Sequence, residues 1–124
     1  HGVSDPIFSY DDSEAWIRGL NEANDGDAGR FARLFPVPGM GHCAGGPSTD
    51  QFDALTALVA WVERGNDPDR LVASARGPGN PAGANADLPA DWSAKRTRPL
   101  CPYPLVARYD GSGSIESAAS FSCR

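Results

Sequence analysis

Apolar positions recur at helical spacing in two stretches of the chain, and the first covers residues 13–23. Asp11 and Glu14 lie three residues apart at its start, which is the spacing of a capping box. The polar, glycine-containing sequence NDGDAG follows it and is typical of a helix end. We therefore predict a helix over residues 13–23, with one apolar stripe formed by Trp16, Ile17 and Leu20.

The second helical stretch, residues 48–65, has the strongest pattern in the chain. Ser48 and Gln51 have capping-box spacing, and Gly65 is well placed to cap the C-terminal end. The predicted apolar face consists of Phe52, Leu55, Leu58, Val59 and Val62.

Two shorter apolar runs have the character of strands. Residues 30–37, RFARLFPV, predict a buried strand, and residues 69–74, DRLVAS, predict a short strand or an extended surface segment. The order loop, helix, strand, loop, helix is typical of an α/β fold with a parallel sheet and with sites in the loops at the strand ends. Because one clear strand cannot form a sheet, the helices would leave apolar surface uncovered, so the pattern indicates a piece of a domain.

The character of the sequence changes at residue 74. Gly and Pro are abundant, at 14 and 11 residues, and residues 74–102 show little helix or strand pattern. This stretch has mixed charges and keeps Trp92 and Leu100, so we expect an ordered excursion over a surface, with a disordered segment as the alternative. We divide the chain into residues 1–73 and a loop-rich C-terminal extension of the same domain, residues 74–124.

Charge and hydropathy narrow the range of partners. The net charge is -5 and the isoelectric point about 4.8, which argues against a nucleic-acid partner because such proteins present basic surfaces. No run approaches the roughly 20 apolar residues of a membrane span, so we expect no membrane partner, and no signal peptide is visible.

The chain begins with His1 rather than Met. We expect either that a segment has been removed or that the sequence is part of a longer polypeptide.

Three cysteines in a short, loop-rich chain indicate an oxidising compartment. Cys101 and Cys123 flank two short strand-like runs around an Asp110-Gly111 turn. Strands folded back on each other would bring these two cysteines together, so we predict a disulfide between them. Cys43 is then left over, which indicates either a bond to another polypeptide or a free thiol.

The glycine-rich stretch VPGMGHCAGG, residues 37–46, places His42 beside Cys43. A zinc site needs three or four Cys, His or carboxylate ligands, and the chain has two histidines and no CxxC motif, so we expect no metal site. A histidine is also the usual general base near neutral pH, and it needs a carboxylate to orient its ring. Asp5 is the candidate, because loops after neighbouring parallel strands meet at one edge of a sheet. The alternative is that Asp5 caps a turn before Pro6 and that His42 is an ordinary loop residue.

A nucleophile does not emerge from the pattern. The serines lie at predicted caps and turns, and no G-x-S-x-G motif occurs.

Two blocks of the sequence together resemble a known family. They are HGVSDPIFS at the start and FPVPGMGHCAGGPSTDQFDALTALVAWVERG from residue 35, and the similarity continues through ARGPGNPAGANADLPADWSAKRTRPLCPYP to the end. The chain resembles the C-terminal part of the α/β-hydrolase domain of the tannase and feruloyl esterase family, over essentially all 124 residues.

This resemblance implies an α/β-hydrolase fold with a Ser-Asp-His triad, of which this chain is the C-terminal portion. It implies that Asp5 is the triad acid and His42 the base. It also implies that Cys43 forms a disulfide with a cysteine just before the nucleophilic serine, which would clamp nucleophile and base together. We expect Phe8 to face the pocket, with a place in the core as the alternative.

In members of the family the serine, the oxyanion-hole segment and a lid domain with a structural calcium lie upstream. We therefore expect no cofactor in this chain, an N-terminal remainder of the esterase linked through Cys43, and no activity of the chain alone. The implied substrates are esters of aromatic acids such as gallate, hydroxycinnamate or terephthalate, and the implied location is secreted or periplasmic. The alternatives are a catalytically inactive fragment and a non-enzymatic binding module.

Overall fold

Two α-helices and four short strands are joined by long loops in the computed structural model, which describes all of residues His1–Arg124. Neither helix has the length and the apolar character needed to cross a membrane. The elements are α1 (Tyr10–Glu22), α2 (Ala54–Arg64), β1 (Leu71–Ser74), β2 (Thr97–Leu100), β3 (Ala107–Tyr109) and β4 (Phe121–Cys123), with short 3₁₀ turns at Ala28–Arg30 and Ala118–Ser120.

Helix α1 begins earlier than the sequence predicts, because Ser9 caps it. The Ser9 side chain accepts a hydrogen bond from the Asp11 backbone N–H. The predicted capping box is wrong, since the Glu14 carboxylate instead accepts a hydrogen bond from the Tyr103 hydroxyl at 3.1 Å. Of the predicted apolar stripe, only Ile17 is buried.

Helix α2 begins later than predicted, at Ala54, and its N-cap is Asp53 rather than Ser48. The Asp53 side chain accepts a hydrogen bond from the Thr56 N–H at 2.9 Å. The residues before it stay extended because Gln51 forms an antiparallel bridge with Ser74. The predicted cap at Gly65 is confirmed, since its φ of 68° is left-handed. No residue of α2 is buried, so its apolar face is uncovered, as the pattern indicated; the exposed members include Leu55, Leu58, Val59 and Val62.

Strands β1 and β2 form a two-stranded antiparallel sheet, with Leu71 opposite Leu100 and Ser74 opposite Thr97. Residues 71–74 are therefore a strand rather than an extended surface segment. Strand β2 was not predicted, because Pro99 interrupts its pattern; a proline is tolerated at the edge of a sheet, where its missing N–H has no partner to lose. Both sheets formed within this chain are antiparallel, and its one parallel pairing is an isolated bridge between Gly2 and Val37.

The predicted buried strand at residues 30–37 is not a paired strand in this chain. Its only ladder contact is a parallel bridge between Val37, which is fully buried, and Gly2. This bridge positions the candidate site. Because it is parallel, the chain leaves Gly2 and Val37 in the same direction, so Asp5 and His42 emerge at the same end.

The C-terminal segment is closed by strand pairing and by a disulfide. Strands β3 and β4 pair antiparallel, with Ala107 opposite Cys123. The predicted tight turn at residues 110–111 is wrong, because residues 110–120 form a longer connection closed by a 3.0 Å hydrogen bond from the Asp110 N–H to the Ser120 carbonyl. The predicted disulfide to Cys101 is confirmed, with the two Cα atoms 5.5 Å apart.

The apolar core is small and includes Val37 and Met40, which precede His42 in the chain. It draws on both sides of residue 74, since β1 and β2 pack together in it. Only 17 of the 124 residues are buried, so much of the apolar surface of the chain remains open. The core cluster consists of Val37, Met40, Leu71, Ala73 and Leu100, with Phe35 and Ala57 packed against it.

Candidate active site

His42 and Asp5 contact each other directly. His42 Nδ1 lies 2.9 Å from Asp5 Oδ2; the Asp5 side chain is only 5% exposed, and that of His42 is 40% exposed. Because a carboxylate can only accept a hydrogen bond, Nδ1 carries the proton and donates it. The lone pair of a neutral His42 ring is then on Nε2, which makes no hydrogen bond within the chain.

Asp5 is fixed by the turn that follows it. Its Oδ1 atom accepts hydrogen bonds from the backbone N–H groups of Ile7 at 2.8 Å and Phe8 at 3.1 Å. The sequence left open whether Asp5 caps a turn or orients His42, and the structure shows both contacts. Oδ1 caps the turn, while Oδ2 accepts the hydrogen bond from His42. The hydrogen bond from His42 lowers the pKa of Asp5, and the two N–H donors lower it further against the opposing effect of burial. Asp5 is thus an ionised acceptor at neutral pH.

His1 is a second imidazole beside Asp5, which sequence reasoning did not identify. Its Nδ1 lies 2.7 Å from Ser13 Oγ, and its Nε2 lies 3.2 Å from the Phe8 carbonyl oxygen and 3.4 Å from Asp5 Oδ2. Since both neighbours of Nε2 are acceptors, Nε2 carries a proton and donates towards them. The signal was the position of His1, four residues before Asp5 in the same sequence block.

The histidine loop is packed closely against the segment that carries Asp5. A Cβ atom at Gly2 would collide with the carbonyl oxygens of Met40 and Gly41, so only glycine allows this approach. Within the loop, the Ala44 N–H donates to the His42 carbonyl at 2.8 Å. Cys43 lies between them in a left-handed conformation with a φ of 63°, which is unusual for a residue with a side chain.

Three side chains bind the backbone on the C-terminal side of this loop. Asp50 Oδ2 accepts from the Gly45 N–H at 2.8 Å, and Asp87 Oδ2 accepts from the Gly46 N–H at 3.0 Å. Asn85 Nδ2 donates to the Gly46 carbonyl at 2.8 Å. Two of these three residues belong to the loop-rich stretch in which the sequence showed no pattern.

Asp50 is a completely buried carboxylate, with 0% side-chain exposure, and Arg76 neutralises it. Arg76 Nε lies 3.0 Å from both oxygens of Asp50, and a second guanidinium nitrogen lies 2.7 Å from Oδ2. Burial by itself would raise the pKa of Asp50, but the hydrogen bonds from Arg76 and from the Gly45 N–H outweigh it, so this pKa is lowered. We call Asp50, Arg76, Asn85 and Asp87 together the loop anchor.

A pocket of about 690 Å³ opens at the Asp5–His42 pair. The structure brings four of the predicted site residues to it: Asp5, Phe8, His42 and Cys43. The Phe8 side chain is exposed, and its ring centroid lies 5.4 Å from that of His42, so it is not a core residue.

Cys43 is an exposed free thiol, and the Cys101–Cys123 disulfide does not line this pocket. Trp16, Met40 and Asp12 are further wall residues that the sequence did not indicate.

The chain contains no group of three or more His, Cys, Asp or Glu side chains arranged to hold a metal ion. The calcium that the family resemblance implies was expected in an upstream lid and not in these residues.

Comparison with known proteins gives one consistent result. A family model described as tannase and feruloyl esterase matches residues 1–124. The chain is 53% identical over 123 residues to the mono(2-hydroxyethyl) terephthalate hydrolase of Piscinibacter sakaiensis. This alignment covers 99% of this chain and 19% of that protein. It is 34% identical over 127 residues to a probable feruloyl esterase of Arthroderma benhamiae, covering 99% of this chain and 21% of that protein.

Among solved structures, the feruloyl esterase B of Aspergillus oryzae superimposes with a TM-score of 0.73 at 27% identity, over 100% of this chain and 25% of that chain. The chain therefore spans about a fifth to a quarter of the length of these relatives. The resemblance seen in the HGVSDPIFS and PGMGHCAGG blocks is confirmed over the whole sequence: this chain belongs to the tannase and feruloyl esterase family.

Proposed function

We propose that this chain supplies the acid and the base of a Ser-His-Asp triad to a carboxylic ester hydrolase of the α/β-hydrolase fold. The observation that carries the proposal is the 2.9 Å contact between His42 Nδ1 and Asp5 Oδ2, with Nε2 unpartnered beside an open pocket. This is the arrangement of an oriented general base. The nucleophilic serine is contributed by a part of the protein outside these 124 residues.

In this mechanism His42 Nε2 removes the proton from the serine hydroxyl as its oxygen attacks the ester carbonyl carbon. Asp5 stays ionised and stabilises the imidazolium that forms. His42 then protonates the leaving alcohol or phenol as the carbon–oxygen bond breaks, which leaves an acyl-enzyme. In the second half, His42 removes a proton from water, the hydroxide attacks the acyl carbon, and the acid is released as the serine recovers its proton.

We propose that the substrates are esters of aromatic acids. Phe8 presents an exposed ring beside His42, and Trp16 lies on the same pocket wall. Aromatic side chains favour an aromatic acyl group through stacked or edge-to-face contacts. The relatives' names, a terephthalate ester hydrolase and feruloyl esterases, point to the same chemical class.

We propose that Cys43 forms a disulfide with a cysteine next to the nucleophile in the remainder of the esterase. Its thiol is exposed, it lines the pocket, and its backbone is held next to His42. The uncovered apolar face of α2 supports the existence of further polypeptide against which this chain packs. The Cys101–Cys123 disulfide supports a secreted or periplasmic location, because disulfides persist in oxidising compartments.

The test is hydrolysis by the full-length protein that contains this chain, with methyl gallate, methyl ferulate and mono(2-hydroxyethyl) terephthalate as substrates. We expect turnover of at least one ester, labelling by an organophosphonate at a serine outside this chain, and loss of both in His42→Ala. Retention of full activity in His42→Ala would overturn the proposal. Intact mass before and after reduction tests the Cys43 bond, and the 124-residue chain by itself is expected to show no turnover.

A further inference from the structure

We propose that the loop anchor, and Asp87 in particular, is a positioning device that sets the orientation of His42. This inference rests on the proposed function, because it assigns a role in catalysis to residues that touch neither the pocket nor the reacting atoms. It also assigns a role to the loop-rich segment between β1 and β2, which contains Asn85 and Asp87 and shows no helix or strand pattern.

A path of hydrogen bonds leads from the loop anchor to the segment that contains His42. The Gly41 N–H donates to the Gly45 carbonyl at 3.3 Å, so His42 lies within a short segment closed at both ends. Gly45 and Gly46 are the residues that Asp50, Asp87 and Asn85 hold. A shift of this pair therefore moves the closing hydrogen bond and the His42 backbone with it.

The same segment contains a strained backbone conformation at Cys43. Cys43 has a φ of 63°, a conformation that costs a side-chain-bearing residue free energy and persists only where its surroundings impose it. The fixed partners on the far side of the loop are the anchor residues together with Ser48, whose Oγ donates to the Gly45 carbonyl at 2.9 Å. Without them, the segment 42–44 is free to relax towards ordinary backbone angles, which turns the His42 ring away from Asp5.

Asp87 is itself held in place by Asn85. Its backbone N–H donates to Asn85 Oδ1 at 3.0 Å, while the Nδ2 atom of the same buried Asn85 donates to the Gly46 carbonyl. Asn85 thus fixes both the Gly46 carbonyl and the residue that binds the Gly46 N–H. Asp87 is exposed, so its removal leaves no buried charge behind, in contrast to Asp50 or Arg76.

The experiment compares three substitutions in the full-length enzyme, assayed on whichever of the three esters it hydrolyses. Asp87→Ala removes the acceptor, Asp87→Asn keeps an oxygen that can accept from Gly46, and Asp91→Ala is a matched control at an exposed aspartate outside the anchor. Active-site titration with an organophosphonate corrects each rate for the fraction of competent enzyme.

We expect Asp87→Ala to lower kcat roughly tenfold with KM changed less than about twofold, because misplacing a base slows chemistry without removing a substrate contact. We expect Asp87→Asn to recover most of kcat, and Asp91→Ala to stay within about twofold of the parent. The proposal is overturned if Asp87→Ala behaves like Asp91→Ala, or if Asp87→Asn is as slow as Asp87→Ala. His42→Ala in the same series distinguishes failure of the proposed function from failure of the anchor proposal. If His42→Ala retains activity, the proposed function fails. If His42→Ala is inactive while both Asp87 variants keep the parent rate, only the anchor proposal fails.

Discussion

The two loops that meet at the pocket differ in how far along the chain the partners of their polar groups lie. The acid loop, residues 1–9, holds Asp5 through hydrogen bonds from Ile7 and Phe8, which lie two and three residues further along the chain. The base loop, residues 39–47, is held through Asp50 and through Asp87, which lies 41 residues beyond its partner Gly46. The turn at Asp5 is therefore encoded locally, whereas the Gly46 end of the base loop depends on a residue brought near by the tertiary fold.

This difference has a consequence for how each loop responds to mutation. A turn made by neighbouring residues re-forms wherever that short sequence is placed, because closing it costs little chain entropy. The base loop instead needs partners brought from a distant stretch. We therefore expect substitutions far from the pocket to damage the base loop and to leave the turn at Asp5 intact.

The strongest test of the pair compares removal of each member. We expect His42→Ala to lower kcat by about 10⁶-fold and Asp5→Ala by about 10⁴-fold in the full-length enzyme. His42 transfers the proton itself, whereas Asp5 only orients the His42 ring and stabilises its protonated form. Steady-state kinetics on the best ester gives both numbers. Equal, small losses in the two variants would contradict the assignment of acid and base.

The dependence of the base loop on its buried ion pair is tested by Arg76→Met. This substitution leaves the carboxylate of Asp50 buried without a counter-charge, so we expect the melting temperature to fall by several degrees. Arg30→Met is the control, because its ion pair with Asp27 has both side chains more than 60% exposed, at 67% and 71%. Thermal melts that move equally for the two variants would show that the buried pair has no special role.

The acid loop also has contacts beyond the turn at Asp5, and the side chain of His1 makes two of them. His1→Gln can still place an amide N–H where Nε2 lies, whereas His1→Asn reaches only the position of Nδ1. We expect His1→Asn to lower kcat by roughly tenfold and His1→Gln by about threefold or less, since only the former loses the donor beside Asp5 and Phe8. The measurement is kcat with KM determined separately. The reverse order of the two variants would show that the contact with Ser13 matters more.

The smallest expected effect is on acid stability. The pKa of Asp5 is lowered in the folded protein, so its contribution to stability is present above its ordinary value of 3.8 and is lost as pH falls through the lowered folded value. We expect Asp5→Asn to flatten this part of the pH dependence. Urea midpoints measured from about pH 5 down to about pH 2 give the comparison. An acid limb that is unchanged in Asp5→Asn would mean that the carboxylate has the same proton affinity in both states.

The features of α2 and β2 that could be predicted from the sequence are those that depend on local contacts. The apolar spacing of α2 and the left-handed cap at Gly65 were predictable, because both arise within one helix. Its start was not, because the bridge between Gln51 and Ser74 holds the preceding residues extended. Strand β2 was missed for a related reason: four residues that include Pro99 become a strand only opposite β1.

The sequence by itself identified the candidate acid and base, but not His1, Trp16 or Asp12 beside them. The HGVSDPIFS and PGMGHCAGG blocks identified the family and the candidate acid and base, and the two C-terminal cysteines predicted their disulfide. Tertiary structure alone decided that a parallel bridge at Gly2 and Val37 directs both loops to one end, and that Asn85 and Asp87 bind the Gly46 backbone from a distant part of the chain. The physical reason is that such contacts join single residues far apart in the chain, and these leave no period or spacing in the sequence.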